Sequence, residues 1–155
     1  GFLIKGWADD AYEVMQSARI CLAPLRFGAG IKGKLLEAMI MQTPSVTTPI
    51  GSEGMHNHLP WPGAITQNAE EFANAAVSIY TNQAEFIAAQ KAGNELLNTL
   101  YDKAQLSDNL IEKIQLVSQN LSAHRMKNFT GQMLKHHTMR STQYMSQWIA
   151  EKNKK

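Results

Sequence analysis

Residues 20–41 join three kinds of sequence that rarely meet by chance. Residues 20–23 are a short apolar run closed by Pro24. Gly28, Gly30 and Gly33 follow, with Lys32 and Lys34 among them, and residues 33–41 then read as a strongly apolar helix. A strand that empties through a glycine-rich turn into a helix is the opening of a parallel crossover, because parallel strands need a long, usually helical, connection. That feature commits the front of the chain to an α/β layout.

The rest of the front repeats the alternation. Residues 2–5 form an apolar run ended by Gly6 and are expected to be a strand. Asp9 or Asp10 caps a helix over residues 11–17, with Tyr12, Met15 and Ala18 on one face. Pro44 introduces the β-branched strand 45–48, which Pro49 and Gly51 break. Residues 51–63, with Gly54, Pro60 and Pro62, are a loop, and residues 64–66 are a fourth strand. Asn68 then caps a helix carrying Phe72, Ala75, Ala76, Ile79 and Tyr80 at helical spacing. Further helices are expected over residues 83–100 and 108–120, and one long helix over 123–152 with a bend at Gly131. The expected fold is therefore an α/β piece with a short parallel sheet, followed by a helical carboxy-terminal half.

Composition excludes several classes. With 155 residues, 44% hydrophobic and 18% charged, the chain has material for one core and is not a disordered tail. No apolar run approaches the ~20 residues of a spanning helix. The single cysteine, Cys21, cannot close an internal disulfide and fits a reducing compartment. A cytoplasmic location is expected, with peripheral attachment at the inner membrane face as the competing one. The net charge of +2 makes no overall case for nucleic acid. Its distribution is uneven, however. Residues 1–120 carry a balance of −4, and residues 121–155 carry +6 with Glu151 as their one acid. Residue 1 is Gly, and Phe2, Leu3 and Ile4 follow at once, so the chain is expected to be a piece of a longer protein.

The glycine turn carries the chemistry. Glycines let backbone N–H groups approach an anion without a Cβ in the way. The helix amino terminus adds partial positive charge, and Lys32 and Lys34 add whole ones. Together they form a cradle for phosphate or diphosphate. Two familiar motifs fail. Lys34 is followed by Leu35, which breaks the P-loop pattern. Residues 28–33 match G-x-G-x-x-G in letters, but the two lysines and the loop position of Glu53 argue against a nicotinamide site. Glu37 lies one turn into the helix. It suits the vicinal diol of a ribose, and equally an i, i+3 pair with Lys34.

The segment Pro24-Leu-Arg-Phe-Gly-Ala-Gly-Ile-Lys-Gly-Lys-Leu-Leu-Glu-Ala-Met39, with Thr43-Pro-Ser-Val-Thr-Thr-Pro-Ile-Gly-Ser-Glu-Gly54 behind it, resembles the carboxy-terminal domain of GT-B glycosyltransferases, family 4-like. The resemblance covers residues 2–80 well. It implies a partial Rossmann-like nucleotide-sugar-binding part (1–80), a helical extension of the same domain (81–122) and a long basic carboxy-terminal helix (123–155). It also implies an amino-terminal domain facing it across a cleft and supplying most of the acceptor site. The function so implied is transfer of a hexose-like sugar from a nucleotide diphosphate-sugar to a glycan or other acceptor in cell-surface glycan synthesis. No cofactor is implied beyond that donor substrate, and the chain alone is expected to be inactive. The resemblance puts Glu37 on the ribose hydroxyls and Gly28, Ala29, Gly30, Ile31, Lys32 and Lys34 on the diphosphate and sugar; Arg26 either reaches a phosphate or is a surface cation beside Phe27. Members often carry a second glutamate eight residues before the ribose-binding one, where this chain has Ala29.

Other candidates read more plainly. His56, His58, His136 and His137 lack metal-ligand spacing and are expected to be surface or packing residues. Glu53 is either near the cleft or a solvated loop acid. Cys21 reads as inert core, and Trp7 and Trp61 as packing residues. The competing function is a non-catalytic α/β module whose basic helix binds a partner, an anionic membrane or RNA. RNA would want aromatics interleaved with basic residues on the sheet, and they are missing. In the tail, Met133, His137, Tyr144, Met145 and Trp148 fall near one helix face, with Lys135 and Lys152 off it. That face is expected to pack on the amino-terminal domain, and weak contact with an anionic membrane is the competing role.

Overall fold

The computed structural model describes residues 2–154, apart from the side chains of residues 135–139. It divides into two compact units, residues 1–103 and 104–155. The first unit holds a parallel sheet of β1 (Cys21–Ala23), β2 (Ser45–Thr47) and β3 (Gly63–Ile65) in that spatial order. Val46 lies opposite Leu22 on one side and Ala64 on the other. The central strand is buried at all three positions, as the middle of a covered parallel sheet must be.

Helices α1 (Ala11–Ser17), α2 (Gly33–Ile40), α3 (Pro49–Ser52), α4 (Ala69–Thr81) and α5 (Gln83–Leu100) surround the sheet. Their starts follow local chemistry. Asp10 Oδ1 accepts from the Tyr12 amide at 2.7 Å, Asn68 Oδ1 from Glu71 at 2.9 Å, and Asn82 Oδ1 from Ala84 at 2.9 Å. Leu35 and Met39 of α2 meet Ala23, Met55, Trp61 and Leu96 in the core. The Trp61 indole N–H donates to the Ser45 carbonyl at 3.3 Å, so the ring is buried without an orphaned donor. Backbones approach closely at Gly63, where a Cβ would fall 2.0 Å from the Ser45 carbonyl oxygen.

Several expectations need correction, among them Trp7, which is exposed and not a packing residue. Residues 2–5 form no strand, and Phe2 and Ile4 are 104% and 92% exposed. An apolar run marks the ability to pair, but a strand exists only where a neighbour takes its N–H and C=O groups. Pro49 does not merely break β2. It starts the short α3, with Thr48 Oγ1 as cap, because a proline at the first helical position forfeits no hydrogen bond. The expected single helix over 123–152 is two, α7 (Leu121–Met126) and α8 (Phe129–Lys152). The break falls before Asn128, whose Oδ1 accepts from the Gly131 amide at 3.0 Å. Gly131 makes room for that cap instead of bending the helix.

The second unit consists of α6 (Lys103–Gln119, entering from the first unit), α7 and α8. Helix α6 starts five residues earlier than the periodicity indicated, since Leu106 extends its apolar stripe toward Leu110 and Ile114. On α8, Tyr144, Met145 and Trp148 are exposed. Lys152 is not off that face: its Nζ lies 4.9 Å from the Trp148 ring centroid. Lys135, His136 and His137 lie outside the described side chains.

Candidate functional site

Because the three strands are parallel, their carboxyl ends share one edge of the sheet, the edge at which open α/β sheets bind ligands. The glycine turn leaves β1 there, and α3 with the loop behind it leaves β2. Two hydroxyls tie these exits together. Thr47 Oγ1 donates to the Ala23 carbonyl at 2.9 Å, and Thr48 Oγ1 to the Leu25 carbonyl at 2.6 Å.

Gly30 sits at φ +67°, in the left-handed region that favours glycine. Lys32 is the N-cap residue of α2, and its carbonyl accepts from the Leu35 and Leu36 amides. Its side chain does not cap the helix. It folds under the turn instead, 8% exposed, with its Nζ closed off from solvent and without a hydrogen-bond partner. The Lys32 stem lies against Gly28: a Cβ there would stand 3.6 Å from Lys32 Cε, an ordinary van der Waals contact. A buried ammonium without a partner is costly and rare. The first N–H groups of a helix are likewise unpaired within it. The α2 start thus offers a whole and a partial positive charge, and among the described residues no hydrogen bond or ion pair answers the Lys32 ammonium.

Glu37 is half-buried on the next turn of α2. The alternative pair with Lys34 is not formed; among the described residues the one ion pair is Glu151 with Lys154. Glu37 leans toward the helix start, its Oε1 4.0 Å from where a Gly33 Cβ would be, as helical side chains tilt. Lys34 is exposed at the head of the helix. Burial pushes the Cys21 thiol up, and the Lys34 ammonium pulls it part of the way back. Arg26 is exposed on the same turn and makes no ion pair among the described residues. Ala29 and Ile31 are exposed and apolar. The fold therefore brings Gly28, Lys32, Gly33 and Glu37 together, and leaves Arg26 and Lys34 as solvated charges at the rim.

One feature of this edge had no strong sequence signal. A cleft of about 580 Å³ opens beside the turn, with Glu53, His56 and Asn57 among its lining residues. The only hint was the G-x-E-G spacing of residues 51–54, which reads equally as a solvated loop.

A glycine turn between a parallel strand and a helix start with unanswered positive charge defines a Rossmann-like α/β piece equipped for an anionic ligand. Residues 1–82, just over half of the chain, match the glycosyl transferases group 1 family, and the chain belongs to that family. No curated protein and no solved structure matches it. Its role is that of a glycosyltransferase.

Proposed function

We propose that this chain is the donor-binding part of a GT-B glycosyltransferase, which moves a hexose-like sugar from a nucleotide diphosphate-sugar to a glycan acceptor. The observation that carries the reading is the buried, unpartnered Lys32 ammonium at the start of α2. A diphosphate is the ligand that answers both that charge and the free N–H groups around Gly33. In this reading Lys32 acts twice. It binds the donor, and it stabilises the negative charge that grows on the leaving diphosphate as the bond to the sugar breaks. Glu37, leaning over Gly33 with no ion pair, accepts the two ribose hydroxyls. Arg26 and Lys34 steer the anion by Coulomb attraction from the rim. Gly28, Ala29, Gly30 and Ile31 give the backbone its close approach.

The acceptor side of the reaction belongs to a facing amino-terminal domain, so transfer needs more than residues 1–155, because half a cleft cannot hold acceptor and donor in line. No nucleic acid enters this reading, and the cytoplasm is the compartment that supplies the donor. Calorimetry with UDP and GDP tests the site. Glu37→Gln should weaken binding by roughly 1.5–3 kcal/mol, the scale of a hydrogen bond to a charged group. Lys34→Ala should weaken it more at low salt than at high salt. Unchanged affinity in both variants would move the site elsewhere.

A further inference from the structure

The side chains of the glycine turn nearest the diphosphate cradle, Ala29 and Ile31, carry no polar group. At these two positions the turn can offer a sugar only its backbone groups. The cleft of about 580 Å³ beside the turn has polar side chains. Pro49, Ile50 and Ile65 form its apolar wall, and Glu53, His56 and Asn57 its polar one. The two sites adjoin, since a Cβ on Gly54 would stand 4.0 Å from Ile31 Cδ1.

The polar wall is built, not loose. Met55 is fully buried, and its carbonyl accepts from the Tyr101 hydroxyl at 3.0 Å. Gly51 packs so tightly on Thr47 that a Cβ would fall 1.9 Å from the threonine hydroxyl. His56 Nδ1 lies 2.8 Å from the Leu59 carbonyl, and its ring stands edge-on to Trp61 at 5.6 Å. A carbonyl only accepts, so Nδ1 carries the hydrogen, and in the neutral ring Nε2 is left as an acceptor. Asn57 is held at φ +50°, a conformation asparagine tolerates better than most residues.

A ring nitrogen held by its neighbour, an exposed carboxylate and an amide, facing an apolar wall, match a ring with hydroxyls on its edge and C–H groups on its face. Glu53 disfavours a second phosphate there. Resting on the donor-binding reading, we infer that this cleft holds the sugar ring of the donor, with His56 Nε2 and the Glu53 carboxylate accepting hydrogen bonds from its hydroxyls. These two residues then set which sugar is taken, a task the apolar side chains of Ala29 and Ile31 do not share.

The test uses the full 155-residue chain and calorimetry with UDP, GDP, UDP-glucose, UDP-N-acetylglucosamine and GDP-mannose. At least one sugar nucleotide should bind more tightly than its parent diphosphate. Glu53→Gln and His56→Ala should each cut that advantage by about tenfold while leaving UDP and GDP affinity unchanged. Histidine ¹⁵N spectra of the unmutated chain cover the case in which His56→Ala does not fold. The Nε2 resonance of His56 should move on adding that sugar nucleotide and stay still on adding the diphosphate alone. Diphosphate binding with no gain from any sugar, or with a gain that survives Glu53→Gln and an unmoved His56 resonance, would overturn the sugar site alone. No binding of any of the five would overturn the donor-binding reading, and the sugar site with it.

Discussion

Replacing Lys32 by methionine separates a binding cation from a packing one. The two side chains are similar in length and unbranched, so the space under Gly28 stays filled. What changes is the charge. In the unliganded chain Lys32 is buried and its Nζ, closed off from solvent, has no hydrogen-bond partner, so the group carries a desolvation penalty. An unsatisfied buried group costs about 1–3 kcal/mol, more when charged, and Lys32→Met should recover about that much stability. For a chain of this size each kcal/mol corresponds to roughly 2–4 °C in melting temperature. The same change should weaken UDP or GDP binding by about 1.5–3 kcal/mol, or roughly 10- to 150-fold, because a charge-assisted contact is lost. Thermal melts with and without the nucleotide read both effects. UDP or GDP should raise the melting temperature of the unmutated chain and do so far less in the variant, whose own melting temperature starts higher. A variant that melts lower and binds as before would show that Lys32 serves packing, and would refute the reasoning.

Two further outcomes follow from the backbone and the tail. Gly63→Ala should cost about 3 kcal/mol or more in urea unfolding, since the Cβ meets the Ser45 carbonyl at φ +138°. Gly30→Ala, at φ +67° with open space around it, should cost about 1–2 kcal/mol. Equal costs would contradict this account of the strand approach. For the tail, packing of the exposed Tyr144, Met145 and Trp148 face on a facing domain predicts no liposome binding and a lower melting temperature of the full-length enzyme when it is cut before Ala123. Salt-sensitive sedimentation with anionic lipid, lost on that cut, would assign the face to a membrane instead.

What the sequence disclosed was local. Asp10 and Asn68 announce their helices by side-chain capping, and the starts of α1 and α4 follow from it. The strand–turn–helix order around Gly28, Gly30 and Gly33 places the glycine turn at the carboxyl end of β1. Non-local facts were hidden. Residues 2–5 have strand composition, but pairing depends on a neighbour that composition cannot name. The charge of Lys32 is written in the sequence, whereas its burial appears only once the turn has folded over it. The cleft at Glu53 and His56 takes its walls from the ends of β2 and β3, and only the parallel register brings those together. At Gly131 the letter signalled a bend, but its meaning was the space that Asn128 needs.

The central claim is that the start of α2 receives a nucleoside diphosphate. A titration of the ¹⁵N-labelled chain with UDP and with GDP tests it most directly. The account predicts saturable shifts of the Gly28, Gly30, Ile31, Gly33 and Lys34 amides and of Glu37 with at least one of the two. Saturable shifts confined to other parts of the chain, or none with either nucleotide, would contradict it.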